Sequence, residues 1–377
     1  MLEVDREQVL AYRIAAHGLH REETDAAAAA VFDLGLQDSQ RDTALLGLAA
    51  RLDGDVRPAV WDDPRFVLAW THRGAPHFHR RAELDAVRAA LVPLDEKDAM
   101  ARILWQRKQV EDAGMSAKDA LFTAAKAIRK VVTGVQTKGT VSGAVTKLIP
   151  DGLSYACRGC GVVHIYEQLM RVASIHAGVR LEAGATPATL APLEPAPSKK
   201  GNAMKTSPDA KAATRVVEGY LRINGPAAPG DAAAYVGTTR TGVDAMWPGN
   251  LVEVRVDGKK AFLPEDRLSL LENPPEPDVV RLLPPLDPFV QARDRTVVVP
   301  DKARQKEVWK ILGSPGALLA DGEIAGVWRA KASGKKRLDF TVTAFDTPRP
   351  AVRKAAEEEA ARVAATREFP DHRVSWS

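Results

Sequence analysis

Three consecutive polar residues, Gln37, Asp38 and Ser39, carry side chains that are suited to hydrolytic chemistry. A carboxamide can orient a water molecule by hydrogen bonds, and a carboxylate can also accept a proton and stabilise positive charge. In extended backbone the side chains alternate between two faces, so Gln37 and Ser39 would share one face and Asp38 would point to the other. These three residues, the elbow, are therefore our candidate catalytic residues.

The same stretch also has a purely structural interpretation. Ser39 and Asp42 stand at the spacing of a capping box, in which the serine caps a helix and the acidic residue bonds back to its amide. The flanks agree with this, because the alanine-rich residues 25–34 predict a buried helix and residues 43–52 restart a helical apolar pattern. From the residues alone, catalysis and helix capping both remain open.

Three stretches of the chain repeat the order helix, turn, helix, hairpin, which is the order of a winged helix. The first ends in a basic hairpin over residues 65–80, and the third ends in a hairpin with Asp257-Gly258 between its halves. A stretch rich in proline precedes the third and predicts a linker. The predicted domains are winged helices over residues 1–95, 96–183 and 209–274, a linker over 184–208, and a C-terminal domain over 275–377.

The C-terminal domain has a different pattern from the rest of the chain. Short alternating apolar runs between residues 317 and 345 predict the strands of a small β-sheet or barrel. Residues 350–368 predict a charged, alanine-rich helix on its surface. The predicted fold class is therefore α+β, with three tandem winged-helix domains followed by a C-terminal β-barrel.

Charge and composition limit the class of protein. The formal net charge of +4 at pH 7 is a mild indication of a polyanionic partner. The sequence has neither an apolar run of about 18 residues nor a basic start followed by an apolar core, so we expect no membrane span and no signal peptide. Its two cysteines, Cys157 and Cys160, are too close in sequence for a disulfide framework. We expect a cytoplasmic, nucleoid-associated protein.

Basic and polar residues at the turns of the three units are the candidates for contact with phosphates. The first hairpin is expected to place His72, Arg73, His77, His79, Arg80 and Arg81 at a cationic or polar wing tip. The predicted DNA-binding residues are His72, Arg73 and His77 of this hairpin, Lys138 in the turn of the second unit, and Arg240 at the start of the third unit's recognition helix. The alternative is that these charges aid solubility or flank an ordinary capped helix.

Short motifs occur in order along nearly the whole chain. They are Gly35-Leu36-Gln37, Arg73-Gly74-x-x-His77, Thr137-Lys138-Gly139, Cys157-x-x-Cys160-x-x-x-His164, and a C-terminal series of Leu283-Pro284-Pro285-Leu286-Asp287-Pro288-Phe289, Arg293-Asp294-Arg295, Pro315-Gly316 and Asp321-Gly322-Glu323-Ile324-Ala325-Gly326-Val327-Trp328-Arg329. Together they resemble the winged-helix DNA glycosylase family that includes AlkZ and YcaQ.

The resemblance implies tandem winged helices that fold into a C shape around duplex DNA, and a C-terminal β-barrel. The family excises alkylated purines, including cross-linked ones, and its catalytic pattern is glutamine, an apolar residue, then glutamine or aspartate. Gln37 matches the first position, whereas Asp38 occupies the apolar position and Ser39 the third. This departure leaves open whether Asp38 or Ser39 takes the second catalytic role, or whether this branch lost the activity.

The function that the resemblance implies is that of a monomeric DNA glycosylase of base excision repair, without a cofactor. It would hydrolyse the N-glycosidic bond of purines alkylated at N7 or N3 in duplex DNA, bulky or cross-linked ones among them, and leave an abasic site. The alternative is a non-catalytic winged-helix DNA-binding protein, regulatory or architectural, in which Asp38 and Ser39 only cap a helix.

A possible metal motif, Cys157-x-x-Cys160-x-x-x-His164, falls one ligand short of a closed structural zinc site. Glu167 follows at helical spacing from His164 and would supply a fourth ligand. Because a second CxxC is absent from the sequence, two thiols beside a packed histidine explain the motif as well. The sequence alone therefore leads us to expect no metal.

Overall fold

A computed structural model describes residues 1–40, 42–56, 58–103, 106–193, 204 and 206–377. In chain order its α-helices are α1 (Arg6–Ala16), α2 (Thr43–Ala49), α3 (Leu84–Ala90), α4 (Glu96–Arg102), α5 (Arg107–Asp112), α6 (Ala117–Val131), α7 (Lys138–Thr146), α8 (Glu167–Ala177), α9 (Ala210–Asn224), α10 (Pro229–Val236), α11 (Arg240–Asp244), α12 (Leu268–Glu272), α13 (Arg295–Val298), α14 (Lys302–Val308) and α15 (Pro350–Thr366). The strands are β1 (Leu2–Val4), β2 (Leu36–Gln37), β3 (Phe66–Trp70), β4 (Pro76–Arg80), β5 (Gln136–Thr137), β6 (Ser154–Ala156), β7 (Val163–Ile165), β8 (Val179–Leu181), β9 (Thr189–Pro192), β10 (Leu251–Val256), β11 (Lys259–Pro264), β12 (Arg281–Leu283), β13 (Gly316–Ala320), β14 (Glu323–Ser333), β15 (Arg337–Ala344) and β16 (Asp371–Trp376).

The described chain forms two compact units that do not follow the predicted domain boundaries. Unit 1 comprises Met1–Asp63, Gly219–Ala232 and Gly249–Ser377, and unit 2 comprises Pro64–Glu218 and Ala233–Pro248. The third predicted winged helix, residues 209–274, is divided between them, since α11 belongs to unit 2 and the β10–β11 hairpin to unit 1. The division into three winged helices stays a prediction.

The predicted linker over residues 184–208 is corrected in its first part. Strand β9 pairs there with β8 and β5, so this part of the linker belongs to a sheet of unit 2. Residues 194–203 and 205 lie outside the described residues.

The first sheet of unit 1 joins the N-terminus to the predicted Asp257-Gly258 hairpin. Strand β1 pairs in parallel with β10, which is antiparallel to β11. The two turn residues have φ angles of +46° and +76°, and Asp-Gly is the sequence that tolerates positive φ at both central positions of a two-residue turn. The predicted hairpin is therefore confirmed.

The C-terminal sheet of unit 1 is open, and the predicted closed β-barrel is wrong. Its strand order is β12-β13-β14-β15-β16, and within the described residues the sheet has β12 and β16 at its edges. Helix α15 connects β15 to β16, and a helical crossover returns the chain parallel to the strand it left. Strand β16 consequently extends the sheet beyond β15 and does not close it against β12.

The predicted C-terminal helix is confirmed as α15, which covers one face of this open sheet. Its buried Ala356, Ala360 and Val363 pack in one cluster with Leu338 and Phe340 of β15. The helix buries its small apolar stripe and leaves most of its charged residues at the surface, as expected of an amphipathic helix on a sheet.

The alanine-rich residues before the elbow do not form the predicted helix. They form two 3₁₀ helices, Ala26–Ala28 and Ala30–Asp33, because Ala29 between them leaves the helical region with φ −58° and ψ 123°. The Asp25 carboxylate accepts the amide of Ala27 and begins the first of them. The helix predicted after the elbow is confirmed as α2.

Unit 2 is built around a sheet in which β4, β3, β8, β9 and β5 follow one another, all antiparallel. Helix α6 begins after Ser116, whose hydroxyl accepts the Asp119 amide as an N-cap. A separate two-stranded hairpin pairs β6 with β7. In the described part of the chain, no helix is both long and apolar enough to cross a membrane.

Candidate active site

The elbow lies in unit 1, where it starts at the last residue of β2 and leads towards α2, and its backbone begins extended as predicted. Gly35 precedes it with a φ of +81°, a conformation that glycine adopts without strain. Leu36 is buried, and a Cβ added to Gly47 of α2 would lie 3.3 Å from the Leu36 Cδ1. This close approach of β2 to α2 fixes where the Gln37 side chain starts.

A chain of hydrogen bonds joins Gln37 to two other polar side chains. The Gln37 Nε2 donates to the Ser39 Oγ at 2.6 Å, and the Gln291 Nε2 donates to the Gln37 Oε1 at 2.5 Å. Gln37 is 9 % exposed, whereas Ser39 is exposed. The prediction that Gln37 and Ser39 share a face is confirmed, and the pair forms a polar group that solvent reaches at Ser39.

The orientation of both carboxamides follows from one carbonyl group. Gln291 also faces the Leu286 carbonyl oxygen at 2.9 Å, and because a carbonyl only accepts, the facing group must be the Gln291 NH₂. The Gln37 atom in front of that NH₂ must then be its oxygen, which turns the Gln37 NH₂ towards Ser39. The Ser39 hydroxyl accepts this bond and keeps its own hydrogen for another partner.

Gln291 contacts the elbow but was not among the candidates chosen from the sequence, and a buried ion pair positions it. It ends the 3₁₀ helix Pro288–Gln291, whose N-cap Asp287 accepts the Phe289 amide at 2.9 Å. Asp287 in turn receives both Nη atoms of Arg51, at 2.7 and 2.8 Å. The residue lies 254 positions from Gln37, so no local pattern could have linked the two.

Asp38 points away from Gln37 and caps α2. Its Oδ1 accepts the Ala44 amide at 3.0 Å and the Thr43 hydroxyl at 3.2 Å. The predicted capping box of Ser39 and Asp42 is wrong, because Asp42 has a φ of +65°, makes no side-chain cap, and pairs with Arg367 at 2.8 Å. The structural interpretation of the elbow thus holds for Asp38, while Ser39 stays beside Gln37.

Burial raises the pKa of Asp38, and the nearby Asp42 raises it further, while the bonds from α2 act in the opposite direction. A carboxylate in this position carries a charge that its surroundings stabilise less well than water does. The hydrogen bonds that Asp38 accepts from α2 and its negative charge can therefore be tested by different substitutions.

Replacing Asp38 by alanine should lower the free energy of unfolding by about 0.5–2 kcal/mol, since it removes the acceptor for two groups of α2. Asp38→Asn should stay within roughly 0.5 kcal/mol of wild type, because its Oδ1 still accepts both bonds. Urea unfolding at pH 7, followed by circular dichroism, measures both. Equal losses in the two variants would show that the charge, and not the cap, supports α2.

Acidic residues of the C-terminal motif series form ion pairs with arginines in the N-terminal region of unit 1. Asp287 pairs with Arg51, Asp294 pairs with the buried Arg13 at 2.5 Å, and Glu323 pairs with Arg6. Other members of the series are packing devices. The Trp328 indole donates to the Leu283 carbonyl at 2.8 Å, and a Cβ at Gly316 would come within 2.3 Å of the Trp328 ring.

Comparison with known proteins identifies the family of this chain. The family model described as DNA glycosylase AlkZ-like matches residues 31–366. The chain belongs to the AlkZ-like DNA glycosylase family. It is therefore an enzyme that acts on N-glycosyl bonds and binds DNA, and the alternative of a non-catalytic DNA-binding protein is set aside.

Among solved structures, the fold of this glycosylase is similar to that of Streptomyces sahachiroi DNA glycosylase AlkZ. The TM-score is 0.76 at 20% sequence identity, and the match covers 100% of both chains. At this identity the likeness concerns the mixed α+β fold. A search of curated protein sequences gives no match.

The glycosylase does not expose the histidines of its first hairpin, which corrects the predicted cationic wing tip. His72, His77 and His79 are 2 %, 1 % and 1 % exposed, and the Thr71 hydroxyl lies 3.0 Å from a ring nitrogen of both His77 and His79. Burial lowers the pKa of all three, that of His79 to about 3. They are neutral at pH 7 and form part of the core of unit 2.

The other predicted DNA-binding residues of the glycosylase also lie in unit 2, and each has a partner there. Arg73 is half-buried, donates to the Tyr235 carbonyl at 2.5 Å and stacks on its ring at 4.7 Å. Lys138, the first residue of α7, pairs with Glu167 at 2.6 Å. Arg240, the first residue of α11, is exposed and lies 3.6 Å from Asp244. Their contact with DNA stays a prediction.

Proposed function

We propose that the enzyme hydrolyses the N-glycosidic bond of purines alkylated at N7 or N3 in duplex DNA, bulky and cross-linked ones among them, and leaves an abasic site. The observation that carries the proposal is the hydrogen-bonded chain of Gln291, Gln37 and Ser39 at a solvent-accessible elbow. The enzyme acts as a monomer and uses water, without a cofactor in the hydrolytic step.

The chemistry of the substrate explains why a site built from amides and a hydroxyl is sufficient. A purine alkylated at N7 or N3 carries a positive charge, so it departs without prior protonation by an acid. The enzyme must then place a water molecule at the sugar and stabilise the positive charge that develops there. No strong general acid is needed, and the elbow offers none.

Gln37 and Ser39 hold the attacking water in this proposal. As the water oxygen bonds to the sugar carbon, the bond to the base breaks, the base leaves neutral, and one proton of the water passes to solvent at the exposed Ser39. The Gln37 Oε1 and the Ser39 Oγ each have a second lone pair beyond the bonds already described, and both can accept a hydrogen of the same water. Gln291 is a positioning residue, because it fixes which end of the Gln37 carboxamide faces Ser39. Ser39 therefore takes the second catalytic role that the sequence left open.

Asp38 supports the site in two ways. It fixes the start of α2 and so the backbone of the elbow. It also places a carboxylate on the opposite face of the elbow from the water-holding side chains, from where its negative charge favours an oxocarbenium-like sugar through space. The first role survives in Asp38→Asn, whereas the second is lost.

We expect the wild-type enzyme to release free base from a duplex that carries one N7-methylguanine, and not from the same duplex with guanine. Alkaline cleavage at the resulting abasic site measures the reaction. A duplex with a bulky N7 adduct tests the wider substrate range. Binding to the methylated duplex without base release from either alkylated duplex would contradict the proposed substrate.

A further inference from the structure

The exposed β6–β7 hairpin of unit 2 brings the side chains of Cys157, Cys160 and His164 together. One ligand atom from each residue, a sulfur or a ring nitrogen, lies within 4.8 Å of the other two. Cys157 and Cys160 are present as free thiols. Cysteine sulfur and histidine nitrogen in this combination are the ligands that zinc prefers in proteins.

The His164 ring makes the kind of hydrogen bond that metal-binding histidines commonly make. Its Nδ1 lies 2.8 Å from the Ile165 carbonyl, which only accepts, so Nδ1 carries a hydrogen and Nε2 is the nitrogen left to bind a metal. A ligating histidine typically donates its other ring N–H to such a carbonyl, because this fixes the tautomer. The Tyr155 ring, opposite His164 across the two strands, packs edge-on against it at 4.8 Å.

The turn that carries the cysteines is tight. The Gly161 amide donates to the Cys157 carbonyl at 2.9 Å, and Gly161 has a φ of +72°. A Cβ at Gly159, between the two cysteines, would lie 3.8 Å from the Cys157 sulfur. The turn therefore holds the two sulfurs close to each other and to the His164 ring.

The hairpin has little else to hold its tip together. Its two strands are three residues each, and residues 158–163 are all exposed. An isolated two-stranded hairpin is at best marginally stable in water. A metal ion bound by residues from both sides of the hairpin would stabilise it in place of an apolar core.

We propose that Cys157, Cys160 and His164 form a zinc site that fixes the β6–β7 hairpin, with water as the fourth ligand. Glu167, the fourth ligand that the sequence suggested, is held by Lys138 and Arg171 at 2.6 Å each. Tetrahedral ligands at about 2.0–2.3 Å from zinc lie about 3.5 Å apart, so closing the site needs movements of about 1 Å in exposed side chains. This site shares no residue with the elbow.

The test is zinc and cobalt binding by the full-length protein, purified with its thiols reduced. Wild type should bind about one zinc per chain, and Co²⁺ in its place should give the absorption bands of a tetrahedral thiolate site. Cys160→Ser and His164→Asn should each weaken zinc binding at least about 100-fold, measured in competition with a chromophoric chelator. Loss of a residue that only hydrogen-bonds to a metal ligand already lowers metal affinity about 10–100-fold, and these two changes remove ligands themselves. His372→Asn, a change outside the hairpin, should bind zinc as wild type does.

Hydrogen exchange measured by mass spectrometry provides a second readout that does not depend on the variants. Zinc should slow deuterium uptake by the peptide that contains residues 154–166 of wild type and leave β14 and β15 unchanged. The proposal would be overturned if the reduced wild type bound no zinc, or if Cys160→Ser bound zinc as tightly as wild type. It would also be overturned if Cys157 and Cys160 could be oxidised to a disulfide while the protein kept its zinc.

Discussion

Replacing Asp287 by alanine should lower the free energy of unfolding of unit 1 by about 3–5 kcal/mol, because it leaves the Arg51 guanidinium buried without its counter-charge. The two side chains are 0 % and 2 % exposed and make two parallel bonds. Arg51 also donates to the Gly47 carbonyl of α2. Arg51→Leu should cost a similar amount, since it leaves the carboxylate buried and unpaired. Urea unfolding at pH 7 measures both losses.

Two further variants separate charge burial from general damage to the fold. The double variant Arg51→Leu with Asp287→Leu should cost less than either single change, because no charge remains buried. Arg349→Ala breaks a pair with Asp321 whose side chains are 69 % and 50 % exposed, and should cost less than about 1 kcal/mol. Single variants at Arg51 and Asp287 that lose no more than this control would contradict the account of how Gln291 is positioned.

Acidification from pH 7 should destabilise the protein steeply, through histidines that are buried in the neutral form. Burial lowers the pKa of His17, His72, His77, His79 and His176, the last two to about 3. In the unfolded chain these histidines have pKa values near 6.5, so below that pH the unfolded chain binds protons that the folded chain does not bind. The free energy of unfolding is therefore highest above about pH 6.5 and decreases as the pH falls towards about 3. Each of these histidines lowers the free energy of unfolding by about 1.4 kcal/mol per pH unit, and the five together lower it by up to about 7 kcal/mol per pH unit.

The position of these histidines makes the pH prediction specific. Four of the five lie in unit 2, and His17 alone lies in unit 1. Unit 2 should therefore unfold before unit 1 as the pH falls. To detect this, the protein is equilibrated at pH 7, 6 and 5, and hydrogen exchange is then measured in short pulses at one fixed pH. His79→Gln should reduce the slope of stability against pH by about 1.4 kcal/mol per unit, while His372→Gln should not. A stability that is unchanged between pH 7 and pH 5 would contradict the neutral burial of these rings.

Local features of this protein could be predicted because short-range interactions decide them. The apolar pattern after the elbow forms α2, and Asp257-Gly258 turns a hairpin by its own backbone preference. The alternation of side chains in extended backbone placed Gln37 and Ser39 on one face. In each case the residues that determine the structure lie within a few positions of one another.

The features that the sequence did not predict depend on distant packing. Histidines in a basic hairpin suggest an exposed wing, and only the surrounding elements of unit 2 determine that His72 and His77 are buried. The apolar runs between residues 317 and 345 suggest barrel strands, but the crossover through α15 decides which edge β16 joins. The pairing of Arg51 with Asp287 brings Gln291 to the elbow across more than half of the chain.

The most direct test of the elbow as the catalytic site is single-turnover base release by Gln37→Ala from a duplex with one N7-methylguanine. We expect a rate about 100-fold below wild type at unchanged affinity for the duplex, because the variant keeps its fold and loses the group that places the water. Gln291→Ala should reduce the rate less. A Gln37→Ala enzyme that releases the base at the wild-type rate would contradict the central claim.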